Sequence, residues 1–174
     1  ETCGAGGIVT NVANACAAGT ISIALACDLI RAGKADVVVA GGADSFAAVP
    51  YSGFLSLHAL DENGCSPFNH CNGITLGEGA GIVIVESYVH AQKRGAKTYC
   101  EILGSGITSD AHHITAPRED ALCLTEAMNR AVKNSGIQKS DIGYVNAHGT
   151  VTGKNYNSEI TSLTKFFRED NPTV

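Results

Sequence analysis

Two short β-branched runs bounded by glycines constrain the fold of this chain more than any other feature. Val37, Val38 and Val39 end at Gly41 and Gly42, and Ile82, Val83, Ile84 and Val85 follow Gly77, Gly79 and Gly81. A continuous apolar run of this length between glycines is the pattern of a strand buried on both faces. The segments around them have helical character. Residues 17–32 are small and aliphatic and stop at Gly33, a helix with a glycine end. Residues 87–94 read as a short helix ending at Gly95. Residues 118–134 place Ala121, Leu122, Leu124, Ala127, Met128 and Ala131 at helical spacing and stop at Gly136. Two further strands are expected at 99–108, interrupted by Gly104 and Gly106, and at 142–147. A helical tail is expected at 157–167, and residues 43–72 read as loops with a short helix. Strand and helix alternate, so the expected fold is α/β with a sheet covered on both faces.

A chain of 174 residues that is 44% hydrophobic and 17% charged is long enough and apolar enough to bury a core. Its formal charge of −5, with no dense Lys/Arg run, excludes the basic face of a nucleic-acid binder. Seven cysteines (Cys3, Cys16, Cys27, Cys65, Cys71, Cys100 and Cys123) are scattered without Cys-x-x-Cys spacing. They are expected to be reduced thiols in an intracellular, cytoplasmic protein. No apolar run reaches the ~20 residues of a membrane span, and no targeting segment opens the chain. Glu1 in place of Met is expected to mark a processing or cloning boundary.

Four stretches could carry chemistry. Cys16, in Asn14-Ala15-Cys16-Ala17-Ala18-Gly19, sits where the first helix begins. A thiol there meets the positive end of the helix dipole and free N–H groups, and small neighbours admit a thioester. On spacing alone it reads more readily as a small buried hydrophobe under a helix, the usual fate of a free cysteine. His148, in Asn146-Ala147-His148-Gly149-Thr150, follows an apolar strand, where ligands gather in open α/β sheets; the alternative is a solvated loop histidine. Asp110-Ala111-His112-His113-Ile114-Thr115 presents two adjacent histidines. Neighbours on an extended chain point to opposite sides and do not chelate one ion, so no metal is expected. The glycines from Gly73 to Gly81 lack the lysine or helix of a phosphate loop and are expected to serve close packing.

Taken in order, NACAAG around Cys16, VVVAGGAD at 37–44, Pro67 through the Gly-Glu-Gly-Ala-Gly at 77–81, SDAHHITAP at 109–117 and YVNAHGT at 144–150 resemble a β-ketoacyl synthase over essentially the whole chain. The likeness is to the elongating branch, of fatty-acid or polyketide type, that uses Cys-His-His. The resemblance implies a thiolase-like fold, layered α-β-α-β-α, of which this chain would hold an incomplete part. Residues 1–98 would be the end of the first half, with the nucleophile. Residues 99–174 would be the start of the second, with the His-Gly-Thr histidine.

The resemblance further implies a decarboxylative condensing enzyme, an acyltransferase. Cys16 would accept an acyl group, and His148 would assist decarboxylation and stabilise the enolate oxygen. Thr150 and Thr152 would hydrogen-bond the pantetheine arm, His113 and Thr115 would line the entrance, and Phe54 would fall near the acyl pocket. Glu159 matches a recurring acidic residue with a structural role. No bound cofactor is implied; substrates would arrive on the phosphopantetheine of an acyl carrier protein. That carrier, and a homodimer mate or complementary ketosynthase chain, are the implied partners, with no nucleic acid and no membrane. The competing readings are an acyltransferase using acyl-CoA and a non-catalytic ketosynthase-like subunit.

The sequence also departs from the pattern. Residues 67–73 are about one residue short and lack an arginine. His58 and Ser66 stand where relatives often carry arginine, and Tyr156 replaces the usual aspartate after His-Gly-Thr. The family's lysine, second histidine and glycine-rich gate have no counterpart ahead of Val174. The chain is therefore expected to be a fragment or one part of a split enzyme, with exposed apolar sheet faces and no condensation on its own.

Overall fold

A computed structural model describes residues 4–69 and 73–167. Its elements, in chain order, are α1 (Ala18–Arg31), β1 (Val37–Asp44), α2 (Ala48–Ser56), β2 (Gly79–Glu86), α3 (Tyr88–Lys93), α4 (Leu122–Ser135) and α5 (Gly153–Phe167). Short 3-10 turns occupy Ala15–Ala17 and Lys139–Asp141. They form two compact units, one from Glu1–Ser45 and Glu78–Ile102, the other from Phe46–Gly77 and Leu103–Val174.

In the first unit, β1 and β2 pair antiparallel, from Val37 opposite Glu86 to Asp44 opposite Gly79. Helix α1 lies on β1, and the approach is close because both elements are glycine-lined. A β-carbon at Gly42 would stand 3.2 Å from the Gly19 Cα. Ser22 completes the contact. Its hydroxyl lies 2.8 Å from the Gly41 carbonyl and 2.7 Å from that of Gly19, and it accepts the Gly41 N–H at 3.0 Å. Gly41 itself has φ +153°, and a β-carbon there would fall 2.1 Å from the Gly81 carbonyl oxygen, so only glycine fits. Ala24, Ala26 and Cys27 are buried on the inner side of α1, and burial pushes the Cys27 thiol up. At the far end of β2, Glu86 takes Arg94 bidentately and His90 Nδ1 at 2.7 Å, fixing α3 to the strand end.

The expectation of a sheet covered on both faces is corrected. Helix α1 covers the side of Val38, Ala40 and Gly42, where Ala40 is buried. On the opposite side Val39, Ile82 and Ile84 are more than half exposed, because among the described residues no element packs against them. The exposed apolar faces expected above are thus present on this sheet.

In the second unit α4 and α5 pack together over Ala121, Val151, Phe166 and Phe167, all buried. Phe166 and Phe167 meet edge to face at 4.7 Å, and Lys139 Nζ lies 4.1 Å from the Phe166 ring centroid while donating to the Phe166 carbonyl. Helix α4 starts four residues later than expected. Ala121, the N-cap, adopts a left-handed conformation, and Asp120 Oδ1 accepts the Leu122 N–H at 3.2 Å just ahead of the helix. Helix α5 starts four residues earlier than expected, at Gly153.

The strand expected at 99–108 is not one. Residues 103–108 run along α4 instead. A β-carbon at Gly106 would lie 1.9 Å from the Ala127 carbonyl oxygen, and one at Gly104 would lie 2.5 Å from that of Ala131. The carbonyls of Ser105 and Ile107 accept from Asn134 and Arg130, and Thr108 Oγ1 donates to the Cys123 carbonyl. The glycines that looked like strand interruptions are the surface on which a helix backbone rests. Residues 142–147 form no strand and hold only an isolated bridge at Tyr144, so the fourth expected strand is likewise not a sheet member.

Candidate active site

Cys16 lies at the centre of the 3-10 turn Ala15–Ala17, two residues before α1. Its thiol is exposed. The residue before it, Ala15, has φ +46°, a conformation that L-residues seldom adopt and that recurs at functional turns. The Ala17 N–H closes the turn on the Asn14 carbonyl at 3.1 Å. No side chain caps the start of α1; the Ala18 N–H turns back to the Ala15 carbonyl. The contact of Gly19 and Ser22 with Gly41 and Gly42 sets this helix start firmly against β1.

His148 is also exposed, on a turn built from the far side by α5. Glu159 is buried, and its two carboxylate oxygens accept the N–H of His148 at 2.6 Å and of Gly149 at 2.8 Å. Asn155, one turn earlier on α5, donates to Glu159 Oε2 at 2.8 Å. A carboxylate taking three N–H donors is well satisfied despite its burial. Gly149 has φ +59° and Val151 φ +65°; Val151 is a β-branched residue in a region it rarely enters, and its buried side chain holds it there. Thr150 and Thr152 lie on the same turn, their hydroxyls 3.4 Å apart. The expected His148, Thr150 and Thr152 are therefore one local constellation.

His113 and Thr115 occupy an exposed loop of the same unit. His113 Nδ1 accepts the N–H groups of Thr115 and Ala116, each at 3.1 Å, so the ring folds back on its own loop. Asp110 Oδ2 accepts the Arg118 N–H at 3.0 Å and closes the loop at its base. Arg118 then pairs with Asp120, which holds the Asp120 carboxyl at about 2, well below its ordinary value. Ser158 Oγ and Lys165 Nζ of α5 donate to the Arg118 and Asp120 carbonyls. Helix α5 thus anchors both the His148 turn and the base of the His113 loop. Phe54 is half-buried on α2, whose Pro50 falls in the first turn where a missing N–H is harmless.

Among the described residues, no three His, Cys, Asp or Glu side chains are arranged to hold a metal, and no helix is long and apolar enough to cross a membrane. Their five cysteines, Cys16, Cys27, Cys65, Cys100 and Cys123, are free thiols. Of the departures noted above, residues 70–72 of the shortened segment and residues 171–174 lie outside the described residues.

Sequence reasoning gave Glu159 a structural role, and the bidentate grip on the His148 turn is that role. It did not find Ser22 or Asn155, and it weighed Asp110 only as a metal partner of the histidine pair, where the structure shows it accepting the Arg118 N–H. Ser22 stands three residues after Gly19 in a run of small residues, which was a legible signal. Asn155 has only its i, i+4 spacing to Glu159.

The beta-ketoacyl synthase N-terminal domain family matches residues 1–91 and the beta-ketoacyl synthase C-terminal domain family matches residues 99–174. The 3-oxoacyl-[acyl-carrier-protein] synthase 2 of Rhizobium meliloti (strain 1021) is 42% identical over 151 residues, covering 82% of this chain and 36% of the relative. A type II polyketide ketosynthase, solved with its acyl-carrier protein and bound to a hexaketide, superposes with a TM-score of 0.91 at 32% identity, over 96% of this chain and 43% of that one. The ishigamide ketosynthase/chain length factor gives 0.85 at 35% identity, over 91% of this chain and 39% of that one. The chain therefore spans about two-fifths of the length of the proteins it matches, and the α/β, thiolase-like fold class read from the sequence holds. The chain belongs to the β-ketoacyl synthase family.

Proposed function

We propose that this chain carries the acyl-accepting cysteine and the first active-site histidine of a decarboxylative condensing enzyme of fatty-acid or polyketide synthesis. The observation that carries the reading is Cys16. It is an exposed thiol on a strained turn, ahead of a helix start that no side chain caps and that is clamped to β1.

In the proposed reaction the Cys16 thiolate attacks the carbonyl of an acyl thioester on a carrier protein. The carbon–sulfur bond to phosphopantetheine breaks, and the departing thiolate takes a proton. A malonyl thioester then loses carbon dioxide. The electron pair released forms an enolate, which attacks the Cys16 thioester and expels its sulfur. His148 acts as a hydrogen-bond donor at the enolate oxygen, where charge develops. A donor used this way must be held still, and the grip of Glu159 on its backbone supports that role. Thr150 and Thr152 are positioned for the pantetheine arm, with His113, Thr115 and Phe54 along the substrate path.

The proposal takes residues 1–98 as the end of the first thiolase-like half and residues 99–174 as the start of the second. It places the enzyme in the cytoplasm and gives it no cofactor of its own. Its partners are an acyl carrier protein and a second ketosynthase-type chain. The likeness to a ketosynthase solved with its carrier protein and to a ketosynthase/chain length factor supports this choice.

The test is loading from two donors. The same acyl group is offered on carrier protein and on coenzyme A, and the covalent product at Cys16 is followed by mass. Faster loading from carrier protein supports the proposal. Faster loading from coenzyme A favours an acyl-CoA acyltransferase, and no loading from either favours a non-catalytic subunit.

A further inference from the structure

Gly149 has a second neighbour besides Glu159. A β-carbon there would lie 3.2 Å from Pro67 Cβ, 3.6 Å from Pro67 Cγ and 3.7 Å from Phe68 Cε2, so the outer side of the His148 turn rests on Pro67 and Phe68. Phe68 packs in turn on Tyr156, with ring centroids 5.9 Å apart and planes tilted by 42°. This is within the range of a favourable aromatic pair. Phe68 makes the contact from φ +59°, a conformation that a bulky residue adopts at a local cost. Tyr156 stands in the first turn of α5, three residues before Glu159 and so on the same side of the helix. Its backbone N–H is held by the Thr152 carbonyl at 2.9 Å. This is the position where the family pattern has an aspartate, which has no ring to place against Phe68.

We propose that Phe68 and Tyr156 form an aromatic clasp that positions His148. Glu159 holds the turn through the N–H groups of His148 and Gly149, and the clasp presses Pro67 against Gly149 from the other side. Tyr156 acts through Phe68, Pro67 and Gly149 and is a positioning residue, not a catalytic one. The proposal rests on reading His148 as an active-site residue.

Residue-resolved amide hydrogen exchange on the full chain tests it, with the variants Tyr156→Phe, Tyr156→Ala and Phe68→Leu. Loss of an aromatic pair is expected to speed exchange at His148 and Gly149 roughly two- to tenfold. The increase should be seen in Tyr156→Ala and Phe68→Leu, be absent in Tyr156→Phe, and leave β1 and β2 amides unchanged. Unchanged protection at His148 and Gly149, a uniform increase across the chain, or a Tyr156→Phe variant no better than Tyr156→Ala each overturn the clasp. Should Tyr156→Ala fail to fold, Phe68→Leu against Tyr156→Phe decides. The readout involves no acyl chemistry, so its failure is distinct from failure of Cys16 to load.

Discussion

Glu159 receives the backbone N–H of His148 at 2.6 Å and that of the next residue, Gly149, at 2.8 Å, one on each carboxylate oxygen. A side chain on α5 thereby fixes the backbone, and not the ring, of the candidate catalytic histidine. Among the described residues no hydrogen bond holds the imidazole itself, while the backbone that carries it is held in place.

Replacing Glu159 tests that grip. Glu159→Gln keeps one acceptor oxygen but turns an amide donor toward a backbone donor. The variant is expected to lose about 1–3 kcal/mol of stability, the usual cost of leaving a buried donor without its partner. Denaturant midpoints of the two proteins check this. Unchanged stability would mean that the turn is held by its other contacts.

Gly41→Ala is expected to disturb the seat of Cys16. The added β-carbon would fall 2.1 Å from the Gly81 oxygen, at a φ that alanine avoids, for a cost of about 2–6 kcal/mol from overpacking and backbone strain together. Ser22→Ala at the same contact removes the acceptor of the Gly41 N–H and is expected to cost about 1–3 kcal/mol. Thermal unfolding ranks the two, with Gly41→Ala the more damaging.

The carboxylates of Glu86 and Asp120 give an acid dependence of defined sign. Arg94 and then His90 hold Glu86 at about 2, and Arg118 and then the Leu122 N–H hold Asp120 at about 2. Both lie below the ordinary carboxylate range near ~4. The stability they contribute is therefore fully present above that range and is lost as pH falls through it toward 2. Arg94→Gln is expected to be less stable than the parent at neutral pH, with the difference closing toward pH 2. Urea midpoints taken between pH 7 and pH 2 check this, and a constant gap would count against it.

Much of this was legible in the sequence because the signals were local. Gly33 and Gly95 end α1 and α3 where expected, both with positive φ, and β1 and β2 fall on the two valine- and isoleucine-rich runs. Cys16 and His148 were legible because short motifs surround them. The failures are non-local. Gly104 and Gly106 look the same in a broken strand as in a segment lying under a helix, and only the approach of α4 separates the two. The late start of α4 goes with the left-handed Ala121 and with Asp120, which takes the Leu122 N–H and pairs with Arg118. The His148 and Gly149 partners of Glu159 and the Phe68 partner of Tyr156 lie on other loops, and nothing in the spacing of α5 names them.

The most direct test of the central claim is where an acyl group lands. The chain is incubated with an octanoyl thioester on acyl carrier protein, and the modified cysteine is located by peptide mass spectrometry. Cys65 and Cys100 are exposed as well as Cys16, so exposure alone would label all three. The account predicts a single octanoyl adduct on Cys16, lost in Cys16→Ala. Labelling spread over Cys65 and Cys100, or no adduct on Cys16, would contradict it.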